Sequence, residues 1–342
     1  MTTNTTLASL VAEKVKLAQT GTVYNEILFD NSEDPIKQNE FLFFVKPEIT
    51  MPSKDIRLEP IIQLIFEKLQ EFKFTIHRIR LLSADYILKY DLIDQHYQVI
   101  ADVSKHGLDA LNTKARIKFE EIFGVKPEDV LVLGGVQFEE KYPFFNDYSL
   151  DCIWQNTKNL KLASGAYAEK LHIDEQTVYL LNGFHPRQLR HFTGQGRSLV
   201  VFRISGDISW KEAREAFSGA TIPEMAKDGS IRHTLLERKE EFGLPEVAQS
   251  YNGIHLSAGP IEALVELKRF DSDFSDPANH TEYTDFRFGQ QLVQSFGHIP
   301  QDVLNNAKIE MEGRKVSIFD LTEDMDSKDA LTLLNKYFGD NS

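Results

Sequence analysis

Short apolar runs alternate along the chain with segments of helical periodicity, the pattern of a packed mixture of strands and helices. The run Glu40-Phe41-Leu42-Phe43-Phe44-Val45 is bounded by turn residues and predicts a buried strand, with Lys46 at its edge and Pro47 stopping the ladder. Ile61, Ile62, Leu64, Ile65, Leu69 and Phe72 recur at helical spacing and predict a helix over residues 60–72. Residues 74–82 alternate as a second strand, and Ser83-Ala84-Asp85 reads as a cap entering a helix with Tyr86, Ile87 and Tyr90. Residues 198–204 (SLVVFRI) predict another strand, followed by a helix over 210–217. In residues 250–270 an apolar turn, Gly253-Ile254-His255, leads through Ser257-Ala258-Gly259-Pro260 into a run with Ile261, Leu264, Val265 and Leu267 on one face. Pro260 fits a first helical turn, because the amide it lacks would be unpaired there. The stretch predicts strand end, tight turn and helix, with His255 just ahead of the turn.

Between these segments, from residue 99 to residue 191, the character changes. A helix is expected over 113–123, closed by Gly124; a further helix start follows at 126–129, and Gly134-Gly135 reads as a break. Residues 142–154 are aromatic and irregular, and 177–181 predict a strand. His172, His185 and His191 lack metal-ligand spacing and read as structural, and Gly194-Gln195-Gly196 reads as a turn. Residues 22–38 read as an irregular lead-in. Towards the end of the chain a strand over 315–321 and a helix over 328–338 are expected, the helix with Leu331, Leu334 and Phe338 on its core stripe.

Composition narrows the classes. At 342 residues, 42% hydrophobic and 26% charged, the chain supports a sizeable core in about two domains, or in one domain carrying a large insertion. A net charge of −14 argues against broad attraction to nucleic acid or anionic lipid, while leaving room for a local basic pocket. No run approaches the roughly 18 apolar residues that span a bilayer, and residues 1–20 lack the apolar core of a secretory signal. The single cysteine, Cys152, excludes an internal disulfide or a multi-cysteine metal site and reads as a buried, reduced thiol of a cytoplasmic protein.

His255 carries the candidate chemistry. A neutral imidazole attacks phosphorus without prior deprotonation near neutral pH, so a histidine at a strand end just before a turn is placed to act as a nucleophile. The surrounding motifs resemble those of the nucleoside diphosphate kinase family. Its early Lys-Pro-Asp signature is matched by Val45-Lys46-Pro47-Glu48, and its strand with a downstream Leu-Ser by Arg80-Leu81-Leu82-Ser83. Its arginine-bearing helix and Gly-x-Thr-x-Pro loop are matched by Arg214 and Gly219-Ala220-Thr221-Ile222-Pro223. Gly229-Ser230-Ile231-Arg232 is similar to its Gly-Thr-Ile-Arg segment, and Asn252-Gly253-Ile254-His255-Leu256-Ser257 to its Asn-x-x-His-x-Ser motif. Glu266 stands where the family keeps a glutamate. The matches are collinear over two blocks, roughly residues 40–97 and 197–275.

The resemblance implies an α+β fold: a ferredoxin-like antiparallel four-stranded sheet with helices on one face, interrupted by a mostly helical insertion. It divides the chain into a lead-in (1–38), a split phosphotransfer domain (39–97 and 197–275), an insertion (98–196) and a C-terminal extension (276–342) that packs on the core or makes a subunit contact. It implies phosphoryl transfer from ATP or another nucleoside triphosphate through a phosphohistidine at His255 to a nucleoside diphosphate or a different acceptor. Magnesium would be carried by the nucleotide phosphates rather than by protein ligands. Lys46, Arg214, Arg232 and Thr221 would contact phosphate, Asn252 the sugar or a neighbouring polar group, Glu266 the far ring nitrogen, and Ser257 would tie Glu266 in place. Tyr90 and Tyr97 compete for a phosphate-contacting tyrosine, Tyr90 being favoured. Expected partners are a nucleotide and a small-molecule acceptor, with no nucleic acid and no membrane, in a homo-oligomer. A catalytically silent nucleotide-binding or interaction module of the same fold is the alternative. Two departures stand out: Leu256 and Ala258 replace the family's glycine and aspartate after the histidine, and the insertion interrupts the helical hairpin on which the family builds its nucleobase slot.

Overall fold

The computed structural model describes residues 4–31, 33–311 and 314–339. The protein is a mixed α+β chain that divides into two compact units, one formed by residues 1–86 with 195–342 and the other by residues 87–194. Its strands, in chain order, are β1 (Asn25–Asp30), β2 (Asn39–Val45), β3 (Thr75–Ser83), β4 (Leu131–Gly134), β5 (Leu160–Ala163), β6 (Ala166–Ile173), β7 (Gln176–Leu181), β8 (Ser198–Gly206), β9 (Ile254–Leu256), β10 (Lys308–Met311) and β11 (Arg314–Ser317).

The first unit is built on a five-stranded sheet of order β1-β3-β8-β2-β9, antiparallel throughout. Every residue of β2 and β8 is buried, which is why both read as continuous apolar runs rather than alternating ones. The strand expected over 40–45 and the one expected over 198–204 form the middle of this sheet. One face carries Phe41, Phe43, Val45, Ile79, Leu81, Val200, Phe202 and Ile204, packed on the Leu58–Glu71 helix and the Asn4–Gln19 helix.

Three expectations for this unit are corrected. The described residues between 4 and 38 are more than a lead-in: Val11 and Val15 of the first helix are fully buried, and β1 pairs with β3 to extend the sheet. The strand was hidden because its burial is intermediate or exposed at every position, leaving no apolar run. Nor do the helices keep to one face. On the other face Phe44 meets Phe270 of the Pro260–Asp271 helix, with ring centroids 5.5 Å apart. There too Arg203 Nε donates to Glu40 at 2.6 Å, the backbone amide of Arg287 donates to Glu40 at 2.8 Å, and Arg203 Nη2 donates to the carbonyl of Asp285 at 3.0 Å. Residues beyond 276 therefore pack on the core of this unit. The strand expected over 315–321 is split by the structure into β11 and a short helix, Ile318–Thr322, because Ser317 caps the helix by accepting from the amide of Asp320.

The second unit holds a four-stranded sheet, β4-β7-β6-β5, in which β4 and β7 are parallel and the other pairs antiparallel. The expectation of a mostly helical insertion missed this sheet; only β7 was legible. β4 and β5 are four residues each, too short to show a period. Within this unit His185 is buried with Nε2 3.2 Å from Asp94, whose other carboxylate oxygen pairs with Lys105. Cys152 is exposed rather than buried: the helix Asp147–Gln155 turns Leu150 and Trp154 inward and leaves Cys152 on its outer face.

Candidate functional site

Strand pairing places the first residues of the site. β9 lies against β2 with Phe44 opposite His255, and the ladder continues one step further as the amide of Lys46 donates to the carbonyl of Gly253 at 2.9 Å. Lys46 remains extended (φ −84°, ψ 162°), and residues two apart on a strand share a face, so Lys46 and Phe44 project to the same side as His255. The rings of Phe44 and His255 stack.

The turn after β9 is fixed by small residues and a cap. The amide of Ala258 donates to Glu262 at 3.1 Å, and Pro260 opens the helix that runs to Asp271. One helical turn beyond Glu262, Glu266 points back at the strand, where Oε2 lies 3.0 Å from His255 Nε2. The side chain of Glu266 is 2% exposed and that of His255 17%.

Three cations act on the imidazole. Burial first, then the charges of Lys46, Arg232 and Arg214, hold His255 well below the usual 6.5, so it is neutral at physiological pH. Burial alone pushes Glu266 up to about 8 against the opposing pull of Arg269. Below about pH 8 the protonated Glu266 donates to Nε2 and leaves the ring hydrogen on Nδ1, and above it the carboxylate accepts from Nε2, so the ionisation of Glu266 sets the ring tautomer. Burial pulls Lys46 down to about 8, with Arg232 acting in the same sense and Glu48 against it.

Each expected site residue has a definite place. Lys46 Nζ donates to Asn252 Oδ1 at 2.7 Å, and Asn252 Nδ2 donates to the carbonyls of Thr221 and Gln249, both at 3.1 Å. Asn252 is 1% exposed and its amide is committed to the protein on both ends. Of the two contacts expected of Asn252, the sugar or a neighbouring polar group, the structure shows the second, a bond that holds Lys46. Arg232 Nη1 donates to the carbonyl of Gly219 at 2.7 Å and Nη2 to that of Ile254 at 3.1 Å, tying the loop that begins at Gly219 to β9. Thr221 is exposed and enters the site through its backbone carbonyl.

Arg214 sits in a single π-helical segment, Ala213–Ser218, an element that concentrates at functional sites. Its Nη1 pairs with Glu323 at 2.7 Å and Asp324 at 2.6 Å. Ser257 does not reach Glu266. Its hydroxyl accepts from the amide of Leu42 at 3.2 Å and donates to the carbonyl of Leu42 at 3.3 Å, because residue 257 continues the β9 ladder. Leu256 lies in the strand with its side chain in the core rather than in a turn. Tyr90 and Tyr97 belong to the second unit, where the carbonyl of Tyr90 accepts from Gln95.

Sequence reasoning left three residues without a role. Glu48 accepts from the amide of Gly253 at 2.8 Å and so fixes the backbone just before His255. It stood inside the Lys46-Pro47-Glu48 motif, and that adjacency was the available signal. Phe44 was legible only as a core residue. Glu262 had the signature of a carboxylate in a first helical turn; the structure adds that burial, with Glu266 and Glu323 nearby, raises it to about 8 against the pull of the Ala258 amide and Arg214.

The chain matches no protein-family model, no curated protein and no solved structure.

Proposed function

We propose that the first unit is a phosphotransferase of nucleoside diphosphate kinase type, with His255 as the nucleophile. The observation that carries this reading is a part-buried, neutral imidazole bonded to Glu266 and flanked by Lys46, Arg232 and Arg214. The strand order supports it. Leaving β1 aside, β3-β8-β2-β9 is the order second, third, first, fourth along the chain, the order of a ferredoxin-like sheet.

In the proposed reaction Nδ1, the ring nitrogen not facing Glu266, attacks the terminal phosphorus of a nucleoside triphosphate. A nitrogen–phosphorus bond forms as the bond to the bridging oxygen breaks, and the nucleoside diphosphate leaves with that electron pair. Attack from Nδ1 uses the ionised form of the pair, in which Nε2 carries the ring hydrogen and Glu266 accepts it as a carboxylate, a form that grows as pH rises toward 8. As positive charge develops on the imidazole, that carboxylate stabilises it. Lys46 and Arg232 balance the charge spread over the phosphoryl oxygens, the main work of catalysis in phosphoryl transfer. The reverse step delivers the group to a nucleoside diphosphate or to a different acceptor. An ammonium and a guanidinium are phosphate ligands rather than a metal cage, which fits magnesium carried by the nucleotide. When bound, it would neutralise the donor's phosphate charge.

The test is incubation with γ-labelled ATP and magnesium, followed by measurement of acid-labile, alkali-stable label on the protein. Label is expected on the native protein and not on His255→Ala; label retained by that variant assigns another nucleophile. The alternative, a silent nucleotide-binding module, draws on the internal bonds of Arg214 and Asn252. It predicts nucleotide binding with no label.

A further inference from the structure

Arg214, one of the three cations around His255, already has anionic partners. Glu323 and Asp324 both bond to the same nitrogen, Nη1, at 2.7 Å and 2.6 Å. They are delivered by a segment of the C-terminal extension that lies directly on the turn following the nucleophile strand. The amide of Asp324 donates to the carbonyl of Ala258 at 2.9 Å, and a Cβ on Gly259 would stand 2.6 Å from the carbonyl oxygen of Thr322. Asp326 fastens the segment by accepting from the amide of Trp210 at 2.8 Å and from Asn39 Nδ2 at 2.9 Å. Asp324 itself has φ +61°, a left-handed conformation that aspartate and asparagine tolerate better than most residues.

We propose that Glu323 and Asp324 form an internal anionic lock that stands in for phosphate oxygens on Arg214, and that a bound polyphosphate must displace them to use that arginine. This rests on the phosphotransferase reading of the site. Two carboxylates converging on one guanidinium present oxygens much as a phosphate does. The lock is built to yield, because Arg214 is 29% exposed and its partners 46% and 45%, and exposed ion pairs are weak. The anchor at Asp326 keeps the segment in place while the two carboxylates swing aside. The C-terminal extension would then set the threshold of polyphosphate at which Arg214 joins Lys46 and Arg232.

The test is a double-mutant cycle read by calorimetric binding of magnesium–ATP, with γ-label uptake measured in parallel. The isosteric pair Glu323→Gln with Asp324→Asn keeps shape and the tolerated backbone conformation while removing charge. It is expected to tighten binding by about fivefold, the scale of an exposed ion pair. In an Arg214→Ala background the same pair is expected to change nothing. Unchanged or weaker binding in the first background, with an unaltered melting temperature, overturns the lock. So does an equal gain in both backgrounds, which would reflect general charge removal. If the native protein takes up label at His255 while the cycle fails, only the lock falls; if it neither binds nor takes up label, the lock falls together with the phosphotransferase reading.

Discussion

The ring of Phe44 lies nearly parallel to the imidazole of His255, with centroids 4.5 Å apart and planes at 19°. The two residues face each other across the β2–β9 ladder, so the strand register that builds the sheet also seats the candidate nucleophile. Replacing the ring by Phe44→Leu removes one wall of that seat and admits water beside the imidazole. The pKa of His255 is expected to move up toward 6.5 and stability to fall by about 1 kcal/mol. Ring NMR titration and urea denaturation check the two parts. An unmoved His255 pKa would show that Phe44 contributes packing only.

The charge states predict the pH profile for label formation. His255 is held well below 6.5 and stays neutral as pH falls through 6.5, so the acidic limb is set by Glu266, whose carboxylate form is lost as pH falls below about 8. Lys46 is pulled down to about 8, so its charge is lost as pH rises through 8 and the alkaline limb falls there. Lys46→Arg keeps its charge at any accessible pH and is expected to move the alkaline limb outward. A single limb at 6.5 in the native protein would contradict the desolvated, cation-flanked histidine.

Glu262 gives a stability prediction of definite sign. Its folded pKa of about 8 lies above the ordinary 4.5, so the folded protein holds a proton there that the unfolded chain has released. Its contribution is fully present below pH 4.5 and is lost as pH rises toward 8. Glu262→Gln keeps an acceptor for the Ala258 amide but does not titrate. The variant is expected to lose less stability than the native protein between pH 5 and pH 8 in urea denaturation. Identical losses would place the titration elsewhere.

Gly253 is the residue on which the backbone before His255 turns. Its φ is +81°, and a Cβ there would stand 2.5 Å from Leu235 Cδ1 and 3.0 Å from Ile49 Cδ1. Gly253→Ala combines strain with overpacking and is expected to cost about 1–3 kcal/mol. It also disturbs the amide bonded to Glu48, so label formation is expected to fall along with stability. Normal labelling in a destabilised variant would separate the turn from the chemistry.

Glu266→Gln preserves the shape opposite Nε2 and removes the carboxylate form that balances the imidazolium. Label formation is expected to fall by roughly 10²-fold with the melting temperature little changed or raised, since a buried titrating carboxyl is replaced by a neutral amide. Single-turnover labelling measures the first and calorimetry the second.

The buried centre of the first unit was legible because its strands are apolar on both faces and its site motifs are local. Phe41 to Val45 announced β2, and Lys46, Asn252, His255 and Glu266 were picked out by the motifs that resemble the kinase family. β1 and the short strands β4 and β5 were not, because strands with little apolar content or only four residues carry no usable period.

By itself the sequence determined which segments must be buried and which residue types could handle phosphate, because hydrophobic periodicity and side-chain chemistry are written locally. Tertiary structure decided what each polar group spends its bonds on. Asn252 is committed to Lys46, Ser257 to the backbone of Leu42, and Arg214 to Glu323 and Asp324, more than one hundred positions away. Such pairings depend on which surfaces meet when the chain closes, and a buried donor bonds to whatever acceptor packing brings within reach.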